Sequence, residues 1–451
     1  MSSSRYTALW LVLLLCLGVR GRAQESSLTL RQAIDQALGS SSEAAVAHAD
    51  SKAVTASLRM AHIQLLPALN FTEDISRGND PVYAFGTRLR QQQFTQANFA
   101  LNALNRPSPI GNFSTRLSGS WTAFDSLKTQ KEIRRTRLLQ KSSEYTSQQS
   151  DQKVVLDVVH AYQSVLFAQR KIDVAKHNME TANALFDSAK DHVKAGLAVE
   201  SDRMLAQVNL ASHKQELISA EGDLEIAWAE LQTAMGSDKF TTSELQPLQP
   251  HTFPCLPLEQ ELTTASKMRP EMLALRQAQS AESIAVGIAK ADFGPRVNTY
   301  GNWETDRTSF AGSGGNNWVA GVQISIDLLP VGKRVHLEAE NVEKEKIDAR
   351  VRSATQQVAL AVRRAHIQQQ TALLTLQTAE ASMKQSKESL SILQNRYNAG
   401  LATITDLLHA EDAERQSQAS YWQAVYRNSV AYAELLYSMG TLTPDAAEVL
   451  Q

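Results

Sequence analysis

Cysteine is almost missing from this chain: among 451 residues only Cys16 and Cys255 carry a thiol. Cys16 sits in an N-terminal apolar run and follows Leu15 rather than the small residue that a lipid-bearing signal needs. Cys255 is then left alone, so no disulfide within the chain holds the fold. Aromatic residues are scarce at 6%, and 20 glycines and 12 prolines are few for this length, which disfavours an all-β chain and suits a helical one. Long apolar runs are absent beyond the N-terminus, and nothing later approaches the ~18 consecutive apolar residues of a membrane-spanning helix. No excess of one charge exists either: 45 Lys+Arg stand against 47 Asp+Glu, which gives no footprint for nucleic acid. Chemistry-bearing constellations are lacking as well. The ten histidines are dispersed, with no His-Glu-x-x-His, no cysteine cluster and no phosphate-binding loop ending in Gly-Lys-Ser/Thr. No cofactor, no metal and no enzyme activity are expected.

What is present begins with "MSSSRYTALWLVLLLCLGVRGRAQESS". Arg5 gives a basic start, an apolar run extends from Ala8 to Val19, and small residues Gly21 and Ala23 precede a cut before Gln24. Residues 1–23 therefore read as a secretory signal peptide. The loss of Arg5, Arg20 and Arg22 takes the formal charge from −2 to about −5. An exported protein of this kind is either free in the periplasm or part of an outer-membrane β-barrel.

The exported part is duplicated. Residues 195–236 align with 399–440 at an offset of 204 without a gap, and thirteen positions are identical. Ala-Gly-Leu-Ala heads both stretches, an aspartate (Asp202, Asp406) follows in step, and both end at Met-Gly. Upstream the offset becomes 228, pairing Glu43 with Glu271 and Pro67 with Pro295, so the first copy holds about 24 extra residues. This divides the chain into a first repeat over 24–240, a Pro-rich linker over 241–258, a second repeat over 259–440 and a tail over 441–451. Segments 126–194 and 331–398 are rich in helix formers. Ile172, Met179, Phe186 and Val193 alternate with Ala175, Ala182 and Ala189 in a seven-residue rhythm, matched by Leu376, Met383, Leu390 and Tyr397 in the second copy. Large residues facing alanines suit helices that supercoil closely. At roughly 1.5 Å per residue such helices reach about 100 Å, too long for a compact core, so they pack side by side.

Four strand segments complete the plan. "FSTRLSGSW" at 113–121 puts Phe113, Thr115, Leu117 and Trp121 on one face and Ser114, Arg116, Ser118 and Ser120 on the other. "WVAGVQISID" at 318–327 puts Trp318, Val322, Ile324 and Ile326 on one face, and segments near 69–77 and 297–304 alternate less cleanly. A half-buried sheet of a soluble domain gives the same alternation. Export and the flanking long helices favour a barrel wall between lipid and water, with Trp121, Trp303 and Trp318 at strand ends as interfacial aromatics. Four strands leave open edges that lipid does not tolerate, so three chains would close a 12-stranded barrel.

The order of "SLTLRQAIDQAL", "LLPAL", "RPEM", "FGPRV", "IDLLPVGKR" and the paired "AGLA…D" turns resembles the TolC-like outer-membrane efflux protein family, over essentially the whole exported chain. The resemblance implies a mainly α fold with a small β-barrel part. Duplicated coiled-coil hairpins would form a trimeric α-barrel in the periplasm, and four strands per chain a barrel in outer-membrane lipid of a Gram-negative bacterium. It implies a homotrimeric exit duct working with a periplasmic adaptor (membrane fusion) protein and an inner-membrane efflux pump or ABC transporter. Gly196, Leu197, Gly400 and Leu401 fall at the adaptor-docking turns. Asp406, His409, Asp202 and Tyr397 fall at a periplasmic gate, where a ring of like charges favours cations. Two positions depart from the pattern: a latch arginine of other members falls at Ala402 and a second ring acid at His409, which gains charge in mild acid. The bland readings are turn chemistry for the glycines, a local apolar cap for the leucines and a Thr403-x-x-Asp406 capping box. The extra residues, spanning much of 79–112, fall at the extracellular end as a long loop or lid. A soluble periplasmic coiled-coil scaffold or adaptor protein is the competing class, but an adaptor carries one helical hairpin, not two.

Overall fold

The computed structural model describes residues 28–237, 245 and 248–450. The signal-peptide assignment and part of the segment read as a linker lie outside them. The helices are α1 (Leu30–Ser40), α2 (Ser42–Ile63), α3 (Pro81–Arg90), α4 (Leu101–Asn105), α5 (Lys128–Lys194) and α6 (Glu200–Ala234) in the first half. Then follow α7 (Leu258–Met268), α8 (Pro270–Ala291), α9 (Val331–Asn398), α10 (Ile404–Met439) and α11 (Pro444–Ala447). The strands are β1 (Ala68–Gly78), β2 (Ile110–Phe124), β3 (Arg296–Arg307) and β4 (Gly314–Ser325). None of the described helices is long and apolar enough to cross a membrane. Two compact units emerge, one from residues up to Ala47, Ser147–Pro270 and Thr355 onward, the other from His48–Thr146 and Glu271–Ala354.

In the first unit the seven-residue rhythm is a packing seam. Ala175, Ala182 and Ala189 are buried, as are Leu376, Ala379 and Tyr397. Alanine at every seventh position lets neighbouring backbones approach, and the larger residues between them fill the remaining gap. The main core gathers Leu30, Tyr162, Leu231, Leu442 and Leu450, all at most 2% exposed. The Tyr162 hydroxyl donates to the Leu28 carbonyl at 2.9 Å, which satisfies the one polar atom this ring brings into the core. The Pro-rich stretch is not a loose strap: Leu248 and Phe253 are buried, and Phe253 stacks on Tyr432 with ring centroids 4.4 Å apart. Residues 441–450 likewise pack inward, with Gln163 Nε2 donating to the Leu450 carbonyl at 2.6 Å.

The second unit carries a four-stranded antiparallel sheet in the order β1-β2-β3-β4. The register sets Phe71, Leu117, Trp303 and Trp318 in one row across all four strands. On the same face follow Leu69, Trp121, Val322 and Ile324, all exposed. The other face carries Arg116, Glu304, Asn302 and Gln323, with an Arg116–Glu304 ion pair at 2.8 Å. Trp303 and Trp318 stand inside their strands rather than at the ends. Their strands run past the apolar band: the next row on that face is Glu73, Thr115, Thr305 and Asn316. Arg307 donates from its Nη2 to Thr115 Oγ1 at 2.5 Å and pairs with Glu73 at 3.5 Å, so the row is polar and tied together across strands. Trp303 and Trp318 thus mark one limit of the apolar band although not of the strands.

Candidate functional site at the helical turns

Two turns join long helices in the first unit, α5 to α6 and α9 to α10. Both end by the same device. Gly196 and Gly400 adopt φ of +73° and +71°, the left-handed region where glycine carries no Cβ penalty. In the first turn the Leu197 N–H donates to the His192 carbonyl at 2.9 Å and the Gly196 N–H to the Val193 carbonyl at 3.0 Å. In the second, the Leu401 N–H donates to Arg396 at 2.8 Å and the Gly400 N–H to Tyr397 at 2.9 Å. Paired bonds of this kind absorb carbonyls that a helix end otherwise leaves unmet. The two leucines do not cap their turns: Leu197 is 77% exposed and Leu401 69%.

The downstream starts differ. Thr403 is an N-cap whose hydroxyl accepts from the Asp406 N–H at 3.2 Å, while Asp406 Oδ2 accepts from the Thr403 N–H at 3.0 Å and from its hydroxyl at 2.7 Å. These bonds hold the Asp406 carboxyl below the usual range, the Thr403 hydroxyl contributing most. Val199, at the equivalent position, has no side-chain acceptor, and the first start keeps only a long Val199 N–H to Asp202 bond of 3.4 Å. Thr403→Ala is therefore expected to loosen the second turn by about 0.5–2 kcal/mol. Faster amide hydrogen exchange over 399–410, without a change over 195–206, is the result to look for.

Behind the turns lies a small core of Leu185, Ala189, Ala206, Tyr397, Ile404 and Leu407, contributed by all four long helices. Tyr397 is 7% exposed, with its ring 5.5 Å from that of His192. Burial, and next the charge of Asp202, push the Tyr397 phenol up, so the two residues named for the gate are neighbours across α6 and α9. His409 is exposed on α10, three residues beyond Asp406.

Sequence reasoning missed the polar layer that follows. Arg415 pairs with Glu216 at 2.9 Å and Asp412 at 3.3 Å, His213 Nδ1 lies 3.2 Å from Glu216, and Asn209 donates to Glu411 at 3.2 Å. A cleft of about 210 Å³ opens here, lined by His177, Asn178, Lys387, Glu411, Glu414 and Gln418 among others. Burial pushes the Glu411 carboxyl up to about 7, the neighbouring Asp412 and Glu414 adding to it and the Asn209 bond opposing it. The folded state then holds this proton more tightly than the unfolded chain. Its contribution to stability is fullest below about pH 4.5, falls as pH rises towards 7, and stays lost above. With allowance for water reaching this half-buried group the loss is on the order of 1–2 kcal/mol. Glu411→Gln is expected to slow hydrogen exchange of the turn amides at pH 8 and to match the parent at pH 4.5; a pH-independent difference would refute this. Only the i, i+7 alanines hinted that such a layer existed, because its members lie too far apart in sequence to be paired by eye.

The comparisons agree with this geometry. The family model for outer membrane efflux protein matches residues 33–237 and 262–441, most of the chain. The chain is 23% identical over 304 residues to the alkaline protease secretion protein AprF of Pseudomonas aeruginosa, covering 64% of this chain and 62% of that one. It is 22% identical over 422 residues to the outer membrane protein OprJ of the same organism, covering 91% of this chain and 84% of that one. The match thus spans rather less than two thirds of AprF but most of OprJ. Among solved structures, the Campylobacter jejuni CmeC outer membrane channel superposes with a TM-score of 0.76 at 17% identity, over 91% of this chain and 85% of that one. By its duplicated turns, its sheet and these matches the chain belongs to the outer membrane efflux protein family, and its place is the outer membrane of a Gram-negative bacterium.

Proposed function

We propose that the chain is one third of a passive exit duct. Three copies would close a 12-stranded barrel in outer-membrane lipid and stand on a helical barrel in the periplasm. A periplasmic adaptor protein would dock at the turns around Leu197 and Leu401, and an inner-membrane pump or ABC transporter would supply the energy. The observation that carries this reading is the sheet. Its apolar face is exposed, and the outer edges of β1 and β4 have no strand partner among the described residues. Open edges cannot stand in lipid, where each unmet backbone group costs several kcal/mol, so other copies must supply the missing strands.

Within the duct, the Trp303–Trp318 row would lie at one limit of the lipid-facing band and Trp121 near the other, one row short of Val297 and Ile324. Asp406, repeated by threefold symmetry, would give an acidic ring at the periplasmic entrance, with His409 beside it and Asp202 and Tyr397 bracing neighbouring helices. Residues 24–240 and 259–440 would be the two repeats that build each third of the wall. Fractionation tests the whole reading: extraction from outer membranes only with detergent, as a trimer that conducts ions in a planar bilayer, is expected. Recovery as a soluble monomer would remove it. His409→Glu, which adds an acid beside Asp406, is expected to raise the cation preference of the entrance; an unchanged reversal potential would take His409 out of the gate.

A further inference from the structure

The connection between β1 and β2 is a folded body rather than an open loop. It leaves the sheet at the end away from α2 and α5, because β1 follows α2 and β2 precedes α5. Asp80 caps α3, its Oδ1 accepting from the Tyr83 N–H at 2.9 Å, and Pro81 opens the helix. The helix then lies down on the sheet. Ala84, Thr87 and Gln91 are all buried, one face at helical spacing. Gln91 Nε2 is 2.9 Å from both the Gly111 carbonyl and Asn112 Oδ1, and 3.2 Å from the Arg307 carbonyl. The Tyr83 and Ser76 hydroxyls meet at 2.9 Å, and Asn317 Nδ2 donates to the Arg90 carbonyl at 3.3 Å. At Gly315 a Cβ would stand 1.9 Å from that same carbonyl oxygen, so only glycine admits the helix end.

Ser76, Asn112, Gly315 and Asn317 all belong to the polar face, the one that carries Arg116 and Glu304. The helix therefore sits on the water-facing side of the sheet and not over the lipid-facing one. A second layer covers it: Phe94 packs edge-on against Phe85 at 4.7 Å and against Phe99 at 5.0 Å. Between the layers is a cleft of about 250 Å³ whose lining includes Phe85, Phe94, Asn98, Asn102, Arg88 and Arg106. The only acid between residues 79 and 112 is Asp80, already used as the helix cap, against Arg88, Arg90 and Arg106. Neither Arg88 nor Arg106 has an acidic partner among the described residues.

We propose that residues 80–109 form an exit filter: a positively charged constriction inside the outer mouth of the duct that favours organic anions bearing aromatic groups. The proposal rests on the trimeric duct, in which the polar face lines the bore and three copies of α3, each about 10 Å across, share one mouth. A bore of twelve strands lies between small barrels filled by side chains and the 16–18-stranded porins that leave an open aqueous channel. Three helices laid on its wall narrow it, and unpaired arginines round a narrowing draw anions while repelling cations. Phe85 and Phe94 line the same cleft as Arg88 and Arg106, and apolar rings together with cations match a carboxylate or sulfonate attached to a ring.

The test uses the full-length protein carrying Asp406→Asn, which removes the acidic ring proposed at the entrance, in planar bilayers under a potassium chloride gradient, with benzoate as the probe. The parent is expected to prefer chloride and to show partial block by benzoate added at the barrel side. In the Arg88→Glu, Arg106→Glu variant the reversal potential should change sign and the block disappear. A reversal potential unmoved by the double substitution overturns the filter. Placement is read separately from Val82→Cys in a Cys255→Ser background, since Val82 is 81% exposed on α3. A bulky thiol reagent should lower the conductance of that variant, and conductance indifferent to labelling places the helix outside the bore and overturns the proposal. A folded trimer that conducts nothing in any variant would instead refute the duct itself, so the two failures are distinct.

Discussion

Arginine in place of Val322 is expected to keep the chain out of the outer membrane, while arginine in place of its neighbour Gln323 is tolerated. The two residues are adjacent on β4 and point to opposite faces, because side chains alternate along a strand. Val322 is 64% exposed in the single chain, between Ala320 and Ile324 on the face that carries the tryptophans. A guanidinium there would face hydrocarbon at a cost of about 2–4 kcal/mol near the bilayer middle, repeated in every copy of the trimer. Gln323 stands on the polar face with Asn298 opposite it, where water accepts the charge. The readout is the fraction of heat-resistant trimer in the outer-membrane fraction. Equal trimer yields for the two variants would mean that the apolar face does not meet lipid.

Leu197→Asp combined with Leu401→Asp is expected to abolish substrate export in cells while leaving trimer assembly and bilayer conductance intact. Both side chains stand in solvent on glycine-built turns and neither belongs to the small core behind them, so folding loses almost nothing. A buried apolar anchor at an interface commonly contributes 2 kcal/mol or more, about 30-fold in affinity, and six such positions would ring one trimer. An aspartate there adds the cost of burying a charge. Cross-linking from a photoreactive residue at 401 should capture the adaptor in the parent and lose it in the Leu197→Asp single variant. Export unaffected by the double change would move the docking surface elsewhere.

Much of this architecture is legible in the sequence for identifiable reasons. The long helices announce themselves because a proline-free, alanine-rich run of this length has no competing structure, and α5 and α9 begin within two residues of where the helix formers start. The turns are legible because glycine is the cheap solution to a left-handed residue, and the duplication shows the same solution twice. Strand alternation gave the faces of β2 and β4, whereas the less regular β1 carries Glu73 and Arg77 on its apolar side. The charge of Glu73 is explained only by Thr115 and Arg307, which reach it from other strands. The same limit hid the Glu411 layer and the seat of α3. Gln91, Asn112 and Arg307 meet in space from positions 21 and 195 residues apart, and no local pattern records such a meeting. Sequence thus yields elements and periodicities, while buried polar contacts belong to the assembled chain.

The inward-packed segment at residues 441–450 bears on how the protein is made. The first-unit core joins Leu30, among the first of the described residues, with Leu442 and Leu450, among the last. Burial of that core cannot be completed while residue 450 is still on the ribosome or inside the translocation pore. Until then the part of the core that packs against Leu442 and Leu450 stays uncovered and open to chaperones. A protein whose place is the outer membrane thereby carries its own delay, set by the sequence distance its core must span.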